Sequence, residues 1–151
     1  MLRHVTAFLM LLFAAGLATA DDKADGITKA LKGLQGEWQA IVMVHSGQDA
    51  PDEAIKENKV IIKDDMITFV QGDMKFKYKI KIDPSQSPMH FDIVSLEGPR
   101  MGKTVPGIYA LEKDTLQICF PNDPEQEDKR PKELKTKARD GLSLLGLEKI
   151  K

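Results

Sequence analysis

The sequence predicts an all-β, antiparallel fold of eight or nine short strands closed into a barrel, and three observations carry that expectation. Met74, Phe76, Tyr78, Ile80 and Ile82 alternate strictly with Lys75, Lys77, Lys79 and Lys81, the mark of a strand with one buried and one wet face. Short apolar runs recur between clusters of Gly, Asp, Ser and Pro at spacings of about 8–12 residues. No later segment carries the long helical period that the crossovers of a parallel sheet require.

Taken in order, residues 1–20 read as a cleaved signal peptide. Arg3 and His4 form a basic head, Val5 to Leu17 is an apolar run, and Ala18-Thr19-Ala20 gives the small-x-small pattern before a cleavage site. That run is shorter than the roughly 20 residues a bilayer span needs. The expected product is exported to the periplasm or beyond, begins near Asp21 and has no transmembrane anchor. Residues 21–33 form an N-terminal extension: Asp21 to Asp25 is polar and frayed, and Ile27, Ala30, Leu31 and Leu34 follow at the spacing of one helical face. Gly33 and Gly36 confine that helix to about two turns.

Residues 34–151 form the barrel domain. The first strand runs from Glu37 to His45 and opens with Trp38, the only tryptophan, which the later strands close against. By alternation Trp38, Ala40, Val42 and Val44 share one face, and Gln39, Ile41, Met43 and His45 the other. Ser46 to Asp49 is a turn, and residues 51–58, opened by Pro51, form a small helical lid. Strands follow at Lys59–Ile62, Met66–Val70, Met74–Ile82, Phe91–Leu96, Thr104–Leu111 and Thr115–Phe120. Pro121 to Pro131 is an exposed loop, Lys132 to Ala138 a short strand, and Leu142 to Ile150 the closing strand.

Composition narrows the function. Removing a leader that carries Arg3 and no acid takes the formal net charge from −1 to about −2. Such a chain has no global pull toward nucleic acid or an anionic membrane. Cys119 is the only cysteine, so the fold holds without an internal disulfide.

Several residue sets resemble chemistry and fall short of it. Gly98-Pro99-Arg100-Met101-Gly102-Lys103-Thr104 is one residue short of a phosphate-binding loop, and it leads into a strand where that motif opens a helix. His45 and His90 stand far apart without a ligand partner at close spacing. Asp123, Glu125, Glu127 and Asp128 lack the glycine and spacing of a calcium loop. There is no G-x-S-x-G, and Cys119 lies in an apolar strand where a thiol is inert. No cofactor or metal is implied, and no enzyme activity is expected. The row Lys75, Lys77, Lys79 and Lys81 could meet an anionic surface, although lysines at such positions ordinarily solvate a barrel's exterior.

The chain resembles a family of uncharacterised exported domains abundant in planctomycetes and described as lipocalin-like. The resemblance is carried by Leu34-Gln35-Gly36-Glu37-Trp38, Glu97-Gly98-Pro99 with Gly102-Lys103-Thr104, and Pro106 to Leu111. Asp114-Thr115-Leu116, Ile118-Cys119-Phe120 and Lys129-Arg130-Pro131 complete it. Gly36-Glu37-Trp38 is similar to the G-x-W signature opening the first strand of calycin-like barrels. The resemblance implies that Gly36 and Trp38 form the barrel floor beneath a basic residue of the last strand, Lys149 first and Arg139 second. It supplies no established activity. The leading expectation is a barrel holding a small hydrophobic ligand, with Met74, Phe76, Tyr78, Ile80, Phe91, Ile93 and Ile108 as lining residues. The rival expectation is a protein-interaction or inhibitor module of the cell envelope acting through its outer surface on a protein partner.

Overall fold

The computed structural model describes residues 19–123 and 129–151. Helix α1 (Ala20–Leu34) leads into β1 (Gly36–His45) and the two-residue β2 (Gln48–Asp49), followed by the short helix α2 (Asp52–Lys56). Strands β3 (Asn58–Lys63), β4 (Met66–Gln71), β5 (Met74–Asp83), β6 (Met89–Ser95), β7 (Thr104–Glu112), β8 (Thr115–Pro121) and β9 (Leu142–Lys149) complete the chain. Each strand from β3 onward pairs antiparallel with the next, and β1 pairs antiparallel with both β3 and β9. Eight strands therefore close into a barrel, with β2 as an extra strand folded back on the end of β1. Closure leaves no long unpaired edge.

One end of the barrel is packed solid. Trp38, Ile62, Ile67, Phe91, Leu116 and Leu147 are at most 1% exposed there, and Phe91 meets Tyr109 edge to face at 5.7 Å. Helix α1 stops this end: Leu34 is fully buried, and its carbonyl accepts the Trp38 indole N–H at 3.0 Å. The helix is 15 residues long, starting well before Ile27. Its extra turns come from a capping box in which Thr19 Oγ1 accepts from the Asp22 N–H and the Asp22 carboxylate accepts from the Thr19 N–H. Asp21 and Asp22 in the first turn and Lys32 in the last suit the helix dipole, so the expected fray at Asp21 to Asp25 is helix. Of the expected leader, only Thr19 and Ala20 lie within the described residues.

Strand β1 departs from simple alternation. Ala40 pairs with Leu147, but the next paired residue is Val42, opposite Gly146, so Ile41 is the extra residue of a β-bulge. The bulge reverses every later side chain. Ile41 and Val42 are 46% and 40% exposed, while Met43 packs against the core and His45, itself exposed at the end of β1, borders the cavity. Gly146 makes room for this: a Cβ there would lie 2.9 Å from Val42 Cβ.

The segment expected to be a strand at Lys132 to Ala138 is instead an irregular strap across the outside of the barrel. Arg130 begins it, with Nη1 2.5 Å from Asp92 Oδ1 on β6 and 2.7 Å from the Gly107 carbonyl on β7. The Lys135 carbonyl accepts from Cys119 Sγ on β8 at 3.9 Å. Thr136 Oγ1 accepts from the Gly47 N–H beyond β1 at 3.0 Å. β8 and β9, the strands that flank this segment in sequence, already pair with each other and with β7 and β1, so it covers an outer face instead. That explains Ile108 and Cys119, both fully buried yet outside the main core.

Candidate ligand-binding cavity

The other end of the barrel is open, and a cavity of about 450 Å³ occupies its upper half. Its apolar walls come from Phe69 on β4, Phe76 and Tyr78 on β5, Ile93 on β6, Val105 on β7 and Phe120 on β8. Phe69 and Tyr78 meet edge to face at 5.8 Å. Polar groups gather around the mouth: Gln71 and Ser95 at the ends of their strands, and His45, Ser143 and Asn122 together on one side. Arg100, on the 3-10 turn Gly98–Arg100 between β6 and β7, is the one Arg, Lys, Asp or Glu of the lining among the described residues. A smaller chamber of about 100 Å³ adjoins it between β1 and β3, where pairing of those strands ends at Gln39, and shares His45, Phe69, Gln71, Phe120 and Ser143.

Three of the polar groups form a relay. His45 and Ser143 are cross-strand partners on β1 and β9, with Nδ1 2.6 Å from Ser143 Oγ. Ser143, only 3% exposed, donates its hydroxyl proton to Asn122 Oδ1, and the Asn122 amide donates to the Leu142 carbonyl at 3.3 Å. Because the single serine proton goes to Asn122, a neutral His45 donates through Nδ1–H and keeps Nε2 as an acceptor. The residue types resemble a nucleophilic triad, but the serine stands in the middle, so the histidine is not held by a third group against it. What the arrangement does chemically is fix the ring and add a polar atom to the lining of the chamber.

Of the expected lining residues, Phe76, Tyr78 and Ile93 border the cavity. Ile80 and Phe91 do not: they point inward one step deeper, in the packed half, at 2% and 0% exposure. Met74 is 58% exposed, because β6 pairs with β5 only from Tyr78 onward and the first residues of β5 are paired with β4 alone. Ile108 faces outward beneath the strap, since Val105, Tyr109 and Leu111 take the inner positions of β7.

Gly36, Trp38 and Lys149 come together at the opposite, closed end. Arg139 is remote from Trp38, its backbone N–H donating to the Ser46 carbonyl at the open end. Lys75, Lys77, Lys79 and Lys81 alternate with the inward residues of β5 and so face outward, Lys79 reaching Asp65 at 3.3 Å.

His45, Ser143, Asn122 and Arg100 were missed by sequence reasoning. Uninterrupted alternation places His45 on the face opposite Trp38, and nothing in Ala40-Ile41-Val42 marks the bulge. The only signal for Arg100 was its place in the glycine-flanked stretch that imitates a phosphate loop. That stretch is a turn with Gly98 and Gly102 at φ of 75° and 81°, and it runs into β7. Among the described residues, no group of three or more His, Cys, Asp or Glu is placed to hold a metal ion. Glu125, Glu127 and Asp128 lie outside those residues.

These features define a closed antiparallel β-barrel with a plugged floor and an open-ended cavity, an architecture consistent with the calycin-like fold. No family model, curated protein or solved structure matches the chain.

Proposed function

We propose that this is a non-enzymatic binding barrel that takes a small hydrophobic molecule into the cavity at its open end. The supporting observation is the cavity itself: about 450 Å³, walled by Phe69, Phe76, Tyr78, Ile93, Val105 and Phe120. Ligand pockets start at about 300 Å³ and combine mostly apolar walls with a few polar groups, which is the composition found here. Small barrels often fill their interiors with side chains, and this one does so only in its lower half.

The residues shared with the planctomycete-type lipocalin-like family support membership of that family. The basic head, apolar run and Ala18-Thr19-Ala20 support export, with a mature chain starting near Asp21. N-terminal sequencing of the protein from its host tests that start.

Organic extraction of the natively purified protein, followed by mass spectrometry, tests the binding function. Recovery of a stoichiometric apolar small molecule is expected. Finding none, together with no uptake of fluorescent fatty acids or retinoids, would remove it. A second reading, an envelope module that binds a protein through its surface, draws on the exposed rim residues Met74 and Met101, 58% and 73% accessible. Crosslinking in envelope extracts should then capture one defined partner, and its absence would count against that reading.

A further inference from the structure

The cavity has an apolar floor and a described lining that mixes apolar and polar side chains toward the open end. On β4, β5 and β6 the deepest lining residues are Phe69, Tyr78 and Ile93, and the next inward residues, Ile67, Ile80 and Phe91, are already closed core. Only two inward positions per strand therefore line the chamber, roughly 7 Å apart along the chain. The next inward residues toward the open end are Gln71, Phe76 and Ser95, and the described lining also carries a guanidinium, that of Arg100. Arg100 makes no ion pair among the described residues. Among the described residues, no Asp or Glu lines the cavity. Glu97, the nearest acid in sequence, borders instead the shallow groove against Lys75 and Lys77 on β5.

A cation with no ion-pair partner among the described residues, set over an apolar floor, is complementary to an amphiphile of opposite charge. A guanidinium presents paired N–H donors that match the two oxygens of a carboxylate. The limited depth suits a chain of medium length, since a longer one would leave apolar methylenes in water. We propose that the ligand is a medium-chain carboxylic acid or a compound with the same acidic head and short apolar body, its carboxylate held by Arg100 at the mouth and its chain against Tyr78, Ile93 and Phe69. This deepens the binding function proposed above and rests on it.

Competition against a bound apolar fluorophore tests the assignment with two probes of equal chain length, decanoate and decanol, both below their aggregation thresholds. Wild-type protein is expected to take decanoate about tenfold more tightly than decanol, the scale of one charge-assisted hydrogen-bonded contact at a partly exposed site. Arg100→Gln should bring that ratio close to one, with an unchanged near-ultraviolet spectrum showing that the fold persists. Raising the salt concentration should shrink the wild-type ratio, because the contact is solvent-accessible. Equal affinities in the wild type would overturn the acid assignment while leaving the cavity a binder of neutral apolar molecules, and a preference for decanoate that survives Arg100→Gln would overturn the placement of the carboxylate at Arg100. Displacement by neither probe would overturn both.

Discussion

Lys149 Nζ stands 5.4 Å from the centroid of the Trp38 ring, and the two residues are cross-strand partners where β1 and β9 close the barrel. Gly36 makes the contact feasible. Its φ of 119° is one that side-chain-bearing residues rarely adopt, and a Cβ there would come within 3.2 Å of Lys149 Cε. The indole is held from three sides: by the Leu34 carbonyl, by the lysine stem, and by the core residues beneath it.

Trp38→Ala should therefore lower the unfolding free energy by about 3–5 kcal/mol, the usual range for truncating a buried Trp. Urea denaturation checks this, and a loss below about 1 kcal/mol would contradict a structural floor. Lys149→Gln should cost only about 0.5–1 kcal/mol, the scale of a partly exposed cation–π contact.

The bulge at Ile41 brings His45 to the cavity, and Gly146 permits it. Gly146→Ala should lower stability by about 1–3 kcal/mol through overpacking against Val42. Denaturation measures the cost, and a neutral substitution would mean that Val42 does not lie over Gly146.

Ser143→Ala leaves His45 Nδ1 and Asn122 Oδ1 without their shared partner. The expected loss is about 1–3 kcal/mol, accompanied by a shift in the His45 ring resonances by NMR. Unchanged resonances would show that the two side chains are not coupled.

Cys119 is protected by the strap. Burial, then the nearby Asp140 carboxylate, push its thiol up to about 11 from 9.0. Because the folded value is the higher one, this contribution to stability is complete below pH 9 and is lost as pH rises from about 9 to 11. Cys119→Ala should flatten part of that alkaline decline, and Tyr109, also raised by burial and by Asp83, accounts for a further part. At pH 8 a thiol reagent should label native Cys119 far more slowly than the unfolded chain. Arg130→Ala, which frees the head of the strap from Asp92 and Gly107, should accelerate the labelling. Equal labelling rates in native and unfolded protein would contradict a covered thiol.

The barrel was legible because its signals are local. Five apolar residues alternating with four lysines make β5 unambiguous, and the turn clusters set the other strands. What escaped depends on partners distant in sequence. Ile41 and Val42 suit either face of a strand, so the bulge is decided only by pairing with β9. Ile108 looks like a lining residue because the strap makes the outside of β7 as dry as its inside, which erases the alternation. Lys132 to Ala138 reads as a strand because local pattern cannot reveal that its flanking strands, β8 and β9, are already paired on both sides. Helix α1 outran its apolar stripe because Thr19 and Asp22 cap it through polar contacts. The cavity fell between these limits: Phe76, Tyr78 and Ile93 were visible through alternation, whereas His45, Ser143, Asn122 and Arg100 meet only in three dimensions.

The central claim is that the open half of the barrel holds a ligand, and filling it is the most direct test. Val105 lines the cavity from β7, and Val105→Trp would place an indole in that space. In a titration with an environment-sensitive apolar fluorophore, the wild type should show saturable one-to-one binding. Val105→Trp, confirmed as folded by cooperative thermal unfolding, should show none. No saturable uptake by the wild type, or equal uptake by the filled variant, would contradict the assignment of the cavity as the binding site.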